Sequence, residues 1–176
     1  GRAMIANIVE TYGRLDVLVH HAGGSPGVDA ATVSPRFHEG VIRLNLTAAL
    51  HMAQSANATM QQQSQGGVIV FIGSVSALRP SPGSAAYGAA KAAVLSLASS
   101  LAVEWAPKGI RVLNVAPGYV MTDFNREMIQ KGPLADYLAK RIPSGVAGEA
   151  QDIGNLVTSL FVLNSPYMTG ETIYID

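Results

Sequence analysis

The sequence predicts an α/β unit, a parallel sheet with helices on both faces. Three observations predict it. Apolar runs of strand length alternate with longer stretches of helical periodicity along the whole chain, an order that builds parallel strands joined by crossover helices. The strand candidates, such as Val68-Ile-Val-Phe-Ile72, are apolar at consecutive positions, as strands buried on both faces are. The 176 residues fall within the range of one domain, and 48% of them are apolar, ample for a core. Residues 1–176 are therefore read as a single domain.

Taken in order, the chain opens on a helix near 3–13, followed by a strand at 15–20. Leu15-Asp-Val-Leu-Val19 is apolar on both pleat faces apart from Asp16, the pattern of an interior strand. A loop rich in glycine and proline runs to about 36, and a helix continues through about 62. The cluster Gln61-Gln-Gln-Ser-Gln65 reads as the solvated end of that helix. Strand 67–73 runs into Gly73-Ser74, and Pro82-Gly83 forms a turn before a long helix at 85–106, with Ser84 as its expected N-cap. Strand 110–116 ends at Pro117-Gly118. A mixed helical region spans about 124–142, a last helix lies near 150–163, and Thr172 to Ile175 form the final strand.

The long helix is where chemistry shows. Between Tyr87 and Trp105 its only cation is Lys91, four residues after Tyr87 in a run of alanine, leucine, valine and serine. An ammonium loses several kcal/mol when stripped of water, so a lysine in such a helix calls for a functional reason. Residues at i and i+4 share a face, and Tyr87 falls in the first turn, where amides are unpaired. A nearby cation and a helix N-terminus both favour a phenolate, so Tyr87 is expected to titrate below its ordinary range and act as a general acid or base. Tyr-x-x-x-Lys alone is a weak motif. Ser74 strengthens it by standing at the carboxyl end of a buried strand, where open parallel sheets place their sites; as a lone residue it is equally a turn serine. Asn45 interrupts the apolar positions Ile42, Leu46, Ala49 and Ala53, and is a third candidate or a structural amide.

These residues stand within a longer series: Leu15-Asp-Val-Leu-Val-His-His-Ala-Gly23, Asn45-Leu46, Gly73-Ser74, Tyr87-x-x-x-Lys91, Lys108-Gly-Ile-Arg-Val112 and Asn114-Val-Ala-Pro-Gly118. In order and spacing it resembles the classical short-chain dehydrogenases/reductases across essentially the whole chain. The resemblance implies a Rossmann-like, doubly wound parallel sheet. It also implies an oxidoreductase that uses NAD or NADP to interconvert a secondary alcohol and a ketone. Tyr87 would be the acid/base, Ser74 would hydrogen-bond the substrate oxygen, and Lys91 would lower the tyrosine pKa and touch the nicotinamide ribose. Asn45 would hold a water linking Lys91 to solvent. His21, Ala22 and Gly23 would pass the cofactor with Tyr87 and Lys91, and Pro117, Gly118, Val120 and Thr122 would wall the nicotinamide. The segment from Phe124 to Ile142 would cover the substrate, with Met128, Ile129, Leu134, Tyr137 and Leu138 lining a pocket or packing among themselves.

Two departures stand out. His20 and His21 replace the paired asparagines of the family, and a neutral imidazole offers one donor and one acceptor in a larger ring. The family's opening strand and Thr-Gly-x-x-x-Gly-x-Gly phosphate turn have no counterpart, so the N-terminal strands are expected to be absent from this chain and the residues to belong to a longer protein. The alternative reading is a catalytically silent homologue serving as a binding or oligomerisation scaffold. Sugar-nucleotide epimerases and dehydratases share Tyr-x-x-x-Lys, but Asn114-Val-Ala-Pro-Gly118 and the short C-terminal region favour the first family.

The remaining classes are narrowed by composition. Twelve basic and twelve acidic residues balance, which leaves no basic field for nucleic acid and no stripe for a membrane surface. The apolar runs are read as too short to span a bilayer. Cysteine is absent, which removes thiol chemistry, and with no third ligand near His20 and His21 no metal is expected. The expected partner is a small alcohol or carbonyl compound, in a cytoplasmic enzyme that forms a homodimer or homotetramer through its long helix.

Overall fold

The computed structural model describes residues 1–131, 133–163 and 165–176. Its elements in chain order are α1 (Arg2–Tyr12), β1 (Val17–His20), α2 (Pro35–Ile42), α3 (Ala48–Met60), β2 (Gly67–Ile72), α4 (Ala85–Trp105), β3 (Ile110–Pro117), β4 (Val120–Met121), α5 (Arg126–Gln130), α6 (Pro133–Arg141), β5 (Gly148–Glu149), α7 (Ala150–Val162) and β6 (Thr172–Ile175). The main sheet has the order β1-β2-β3-β6 with every pair parallel, as the continuous apolar strands imply. β4 and β5 pair apart from it.

Strand pleating divides the core in two. Leu18, Ile69, Phe71, Ile110 and Val112 point to one face and pack against Ile5 of α1, Ala53 and Met60 of α3, and Val94, Ala98 and Trp105 of α4. Val70, Leu113 and Val115 point to the other, under Val157 and Leu160 of α7. Among the described residues β1 pairs with β2 alone; it buries Leu18 and His20, while Val19 on the opposite face is 40% exposed. By length and composition α4 with its following turn is apolar enough to cross a membrane, contrary to the sequence reading. Its buried stripe of Ala90, Lys91, Val94, Ala98, Leu101 and Trp105 against the sheet is that of a core helix.

Three local features differ from the sequence reading. The helix read through 36–62 is broken by a π-helical turn at Arg43–Thr47. Gln63 is no solvated helix end: its amide exchanges hydrogen bonds of 2.8 and 2.9 Å with the backbone of Leu15 and donates to the Gly66 carbonyl at 2.7 Å, tying α3 to the start of β1. Ser84 makes no side-chain cap to α4, although helix entry at Ala85 does leave Tyr87 in the first turn.

The segment between β3 and β5 also resolves. Ile129 and Leu138 bury against Ala147 with Leu134 beside them, so these pack together, whereas Met128 and Tyr137 are exposed.

Candidate active site

Four elements deliver the predicted residues to the carboxyl rim of the sheet. Ser74 follows β2 in extended conformation, and its Oγ accepts the Ser76 N–H at 3.1 Å, opening a short 3₁₀ turn at Val75–Ala77. Tyr87 and Lys91 project from α4, with Nζ 5.6 Å from the centroid of the phenol ring. The Ser74 hydroxyl is close enough to the Tyr87 phenol to lower its pKa. Lys91 Nζ donates to the Ile72 carbonyl at 2.7 Å, at the last residue of β2, and its other two N–H groups are free of hydrogen bonds to the described residues. Lys91 is only 4% exposed.

Asn45 is placed by the π-helical turn. Its Nδ2 donates to the Val41 carbonyl at 2.9 Å, the acceptor four residues back that a regular helix would reserve for backbone. The same amide donates to the Gly24 carbonyl at 2.9 Å, and its Oδ1 accepts the Gly24 N–H at 2.8 Å. A π-turn inside a helix often marks a functional position, and here it aims a fully buried amide at the loop after β1. Gly23 fits between the two groups: a Cβ there would stand 2.7 Å from Asn45 Oδ1 and 3.1 Å from Lys91 Nζ. Ser74, Tyr87, Lys91, Asn45 and Gly23 are thus one constellation.

The acidities correct one expectation. Burial pushes the Tyr87 phenol above its ordinary value of 10, against the opposing effect of the Ser74 hydroxyl. The ammonium lies over the ring face and does not outweigh that desolvation. Burial likewise pulls Lys91 down to about 8. His20 is buried edge-on to Phe71 and held below its ordinary value, first by desolvation and then by the Lys91 charge.

The remaining predicted positions lie around this centre. His21, Ala22 and Gly23 are exposed at the end of β1. Pro117 ends β3, and Val120 pairs with Gly148. Thr122 gives its N–H to Asn125 Oδ1 at 2.7 Å, and Asn125 Nδ2 returns to the Val120 carbonyl at 3.0 Å. Among the described residues none of Val120, Gly118 and Thr122 hydrogen-bonds Ser74, Tyr87 or Lys91, so they form a separate wall. A cavity of about 440 Å³ lies behind that wall, lined by Tyr119, Val120, Gly148, Asp152 and Asp176.

The architecture and the sequence lead to the same relatives. The profile of the family described as enoyl-(acyl carrier protein) reductase matches residues 1–176. Solved structures of short-chain dehydrogenases/reductases superpose on the fold, one from Mycobacterium ulcerans with a TM-score of 0.94 and 27% identity over 99% of this chain and 64% of its own. The chain belongs to the short-chain dehydrogenase/reductase family. An L-rhamnose 1-dehydrogenase (NAD(P)(+)) of Azotobacter vinelandii is 32% identical over all of this short-chain dehydrogenase/reductase and 69% of its own length. A 3-oxoacyl-[acyl-carrier-protein] reductase of Staphylococcus aureus is 34% identical over 99% of the chain and 70% of its own. A gluconate 5-dehydrogenase from Burkholderia cenocepacia, solved in complex with NADP and tartrate, gives a TM-score of 0.92 at 30% identity over 99% of the chain and 68% of its own. The chain spans about two thirds of the length of such relatives, down to 62% of a tropinone reductase homologue from Arabidopsis thaliana.

Two contacts of the short-chain dehydrogenase/reductase site escaped the sequence. The exchange of hydrogen bonds between Asn45 and Gly24 had no motif to announce it. Nor did the ion pair between Arg79, after the 3₁₀ turn, and Asp176 at the end of β6.

Proposed function

We propose that this protein is an NAD- or NADP-dependent oxidoreductase that interconverts a secondary alcohol and a ketone, with Tyr87 as acid/base. One observation carries the reading: Ser74, Tyr87 and Lys91 converge at the carboxyl rim of a parallel sheet, with Lys91 buried and no carboxylate beside it among the described residues. The names of several relatives, which include NAD(P)-dependent dehydrogenases and an NADP complex, support the cofactor class.

The residues present fit a nicotinamide nucleotide. Gly23 leaves open the space that a side chain would fill beside Asn45 and Lys91, and Lys91 keeps N–H groups for ribose hydroxyls. His21, Ala22 and Gly23 would hold one side, and Pro117, Gly118, Val120 and Thr122 the other. When bound, that cofactor supplies or takes the hydride. The chain's own residues do the rest. The Ser74 hydroxyl orients the substrate oxygen, and Tyr87 gives a proton to a ketone or takes one from an alcohol. With its phenol above 10, Tyr87 is protonated at neutral pH and stands ready as the acid. Lys91 would hold the ribose, and Asn45 would carry its link to solvent. A homodimer or homotetramer would use the uncovered flank of α4, where Ser96, Ser100 and Val103 are exposed.

A second reading is favoured by His20 and His21, where the family resemblance calls for asparagines: a catalytically silent homologue or fragment serving as a binding or oligomerisation scaffold. Titration with NADH and NADPH, followed by nicotinamide fluorescence, separates the two. Replacing Tyr87 by phenylalanine is expected to lower turnover by a factor of about 10² to 10⁴, the usual worth of a general acid, with folding retained. Unchanged turnover would refute the role of Tyr87.

A further inference from the structure

The ion pair between Arg79 and Asp176 joins two walls beyond the point where the β2–β3 ladder ends. At one end, the Arg79 N–H donates to the Val75 carbonyl at 2.9 Å and the Ala77 N–H to the Ser74 carbonyl at 3.1 Å, so Arg79 closes the turn that Ser74 opens. At the other end, the Asp176 side chain lies across the α-carbon of Gly118. A Cβ on Gly118 would come within 3.0 Å of Asp176 Cγ and 3.1 Å of its Cβ, and the Gly118 N–H donates to the Ile175 carbonyl at 2.9 Å. Residue 118 lacks a side chain where the carboxylate must pass. The β2–β3 ladder fixes the two walls at their base, with the Gly73 N–H donating to the Val115 carbonyl at 2.7 Å; beyond it, among the described residues, no hydrogen bond joins 75–83 directly to 117–122, and the link there runs through Asp176.

We propose that Arg79 and Asp176 form a clamp that sets the separation of Ser74 from the Gly118–Thr122 wall, which makes both of them positioning residues for the reaction read above, on which this inference rests. The Arg79 side chain is 62% exposed and that of Asp176 22%, so the pair is screened by water and adds little to global stability. Its effect is local. Reacting groups held on separate loops lose rate steeply when their spacing drifts, even where the fold is intact.

Four variants of the full chain test this: Asp176→Asn, Arg79→Gln, the double variant and Arg79→Lys. Hydrogen exchange at the amides of Ala77, Leu78, Arg79 and Gly118 is expected to speed up in Asp176→Asn, with β2 and β3 unchanged. The kcat for ketone reduction should fall about tenfold in each single variant while KM moves by less than about twofold. The double variant should be no worse than either single one, and Arg79→Lys should keep most of the rate. Faster exchange confined to 172–176, or none, overturns the clamp whatever the activity. So does an unchanged kcat with loosened loops. If the unaltered protein turns over no ketone, the failure belongs to the reading of function, and the exchange pattern alone then decides the clamp.

Discussion

Replacing Lys91 by methionine should abolish turnover and at the same time stabilise the protein. The ammonium is buried, and its one hydrogen bond to the described residues is to the Ile72 carbonyl. Desolvation brings it from 10.5 to about 8. At about 1.4 kcal/mol for each pH unit of that fall, carrying the charge costs on the order of 3 kcal/mol at neutral pH. Methionine keeps an unbranched chain of similar reach without the charge, but deprives the Ile72 carbonyl of its donor, a loss of about 1 kcal/mol. The variant should therefore gain about 2 kcal/mol at pH 7. The sign with pH follows from proton counts. The unfolded lysine keeps its proton up to 10.5, while the folded one releases it near 8, so between these values the unfolded state binds more protons and the unaltered protein gains stability as pH rises. The advantage of the variant is full below about pH 8 and fades by about 10.5. Guanidinium chloride unfolding of both proteins at the two ends of that range measures it. A variant less stable at pH 7, or a difference that does not shrink with pH, would refute the claim that this lysine is held charged against its surroundings.

Two further outcomes follow from the same geometry. Gly23→Ala should drive a methyl group into Asn45 Oδ1, break the paired bonds to Gly24 and cost about 2 kcal/mol in denaturant unfolding; an unaltered midpoint would mean that the loop yields freely. On the proposed reading Tyr87 would be the base in alcohol oxidation, and since burial raises its pKa the initial rate should climb with pH from about 7 to about 10 while ketone reduction stays level over the lower part of that range; a flat oxidation profile would exclude the phenol as the titrating group.

Much of the fold could be read before any coordinates, because buried parallel strands announce themselves as unbroken apolar runs. Val68 to Ile72 did so, Ile110 to Ala116 is broken only by Arg111 and Asn114, and the all-parallel main sheet agrees with the doubly wound arrangement that the family resemblance implied. The π-turn under Asn45 could not be read, since the apolar spacing of Ile42, Leu46, Ala49 and Ala53 fits a continuous helix and carries no mark of a single wider turn. Gln63 was hidden for another reason: its worth depends on the backbone of Leu15, which no local pattern brings near. Arg79 and Asp176 look like ordinary surface charges until β6 is laid beside β3. Proximity of Tyr87 and Lys91 was legible from the i,i+4 spacing, but the direction of the tyrosine shift was not. Spacing fixes which groups meet; it does not report how much water each has lost.

That distinction also explains how the site is tuned. Were mutual charge in control, the lysine would pull the phenol down and the phenolate would hold the lysine up. Instead both groups move toward their neutral forms, the phenol upward and the ammonium to about 8, as two groups do when burial dominates each. The protein therefore presents a proton donor in Tyr87 and an ammonium with unspent N–H groups in Lys91. A partner that offers oxygen acceptors to Lys91 favours its charged form and so offsets the desolvation it bears alone. The stability lost by burying that lysine is recovered in part only when the site is filled, which ties the protein's firmest state to its occupied one.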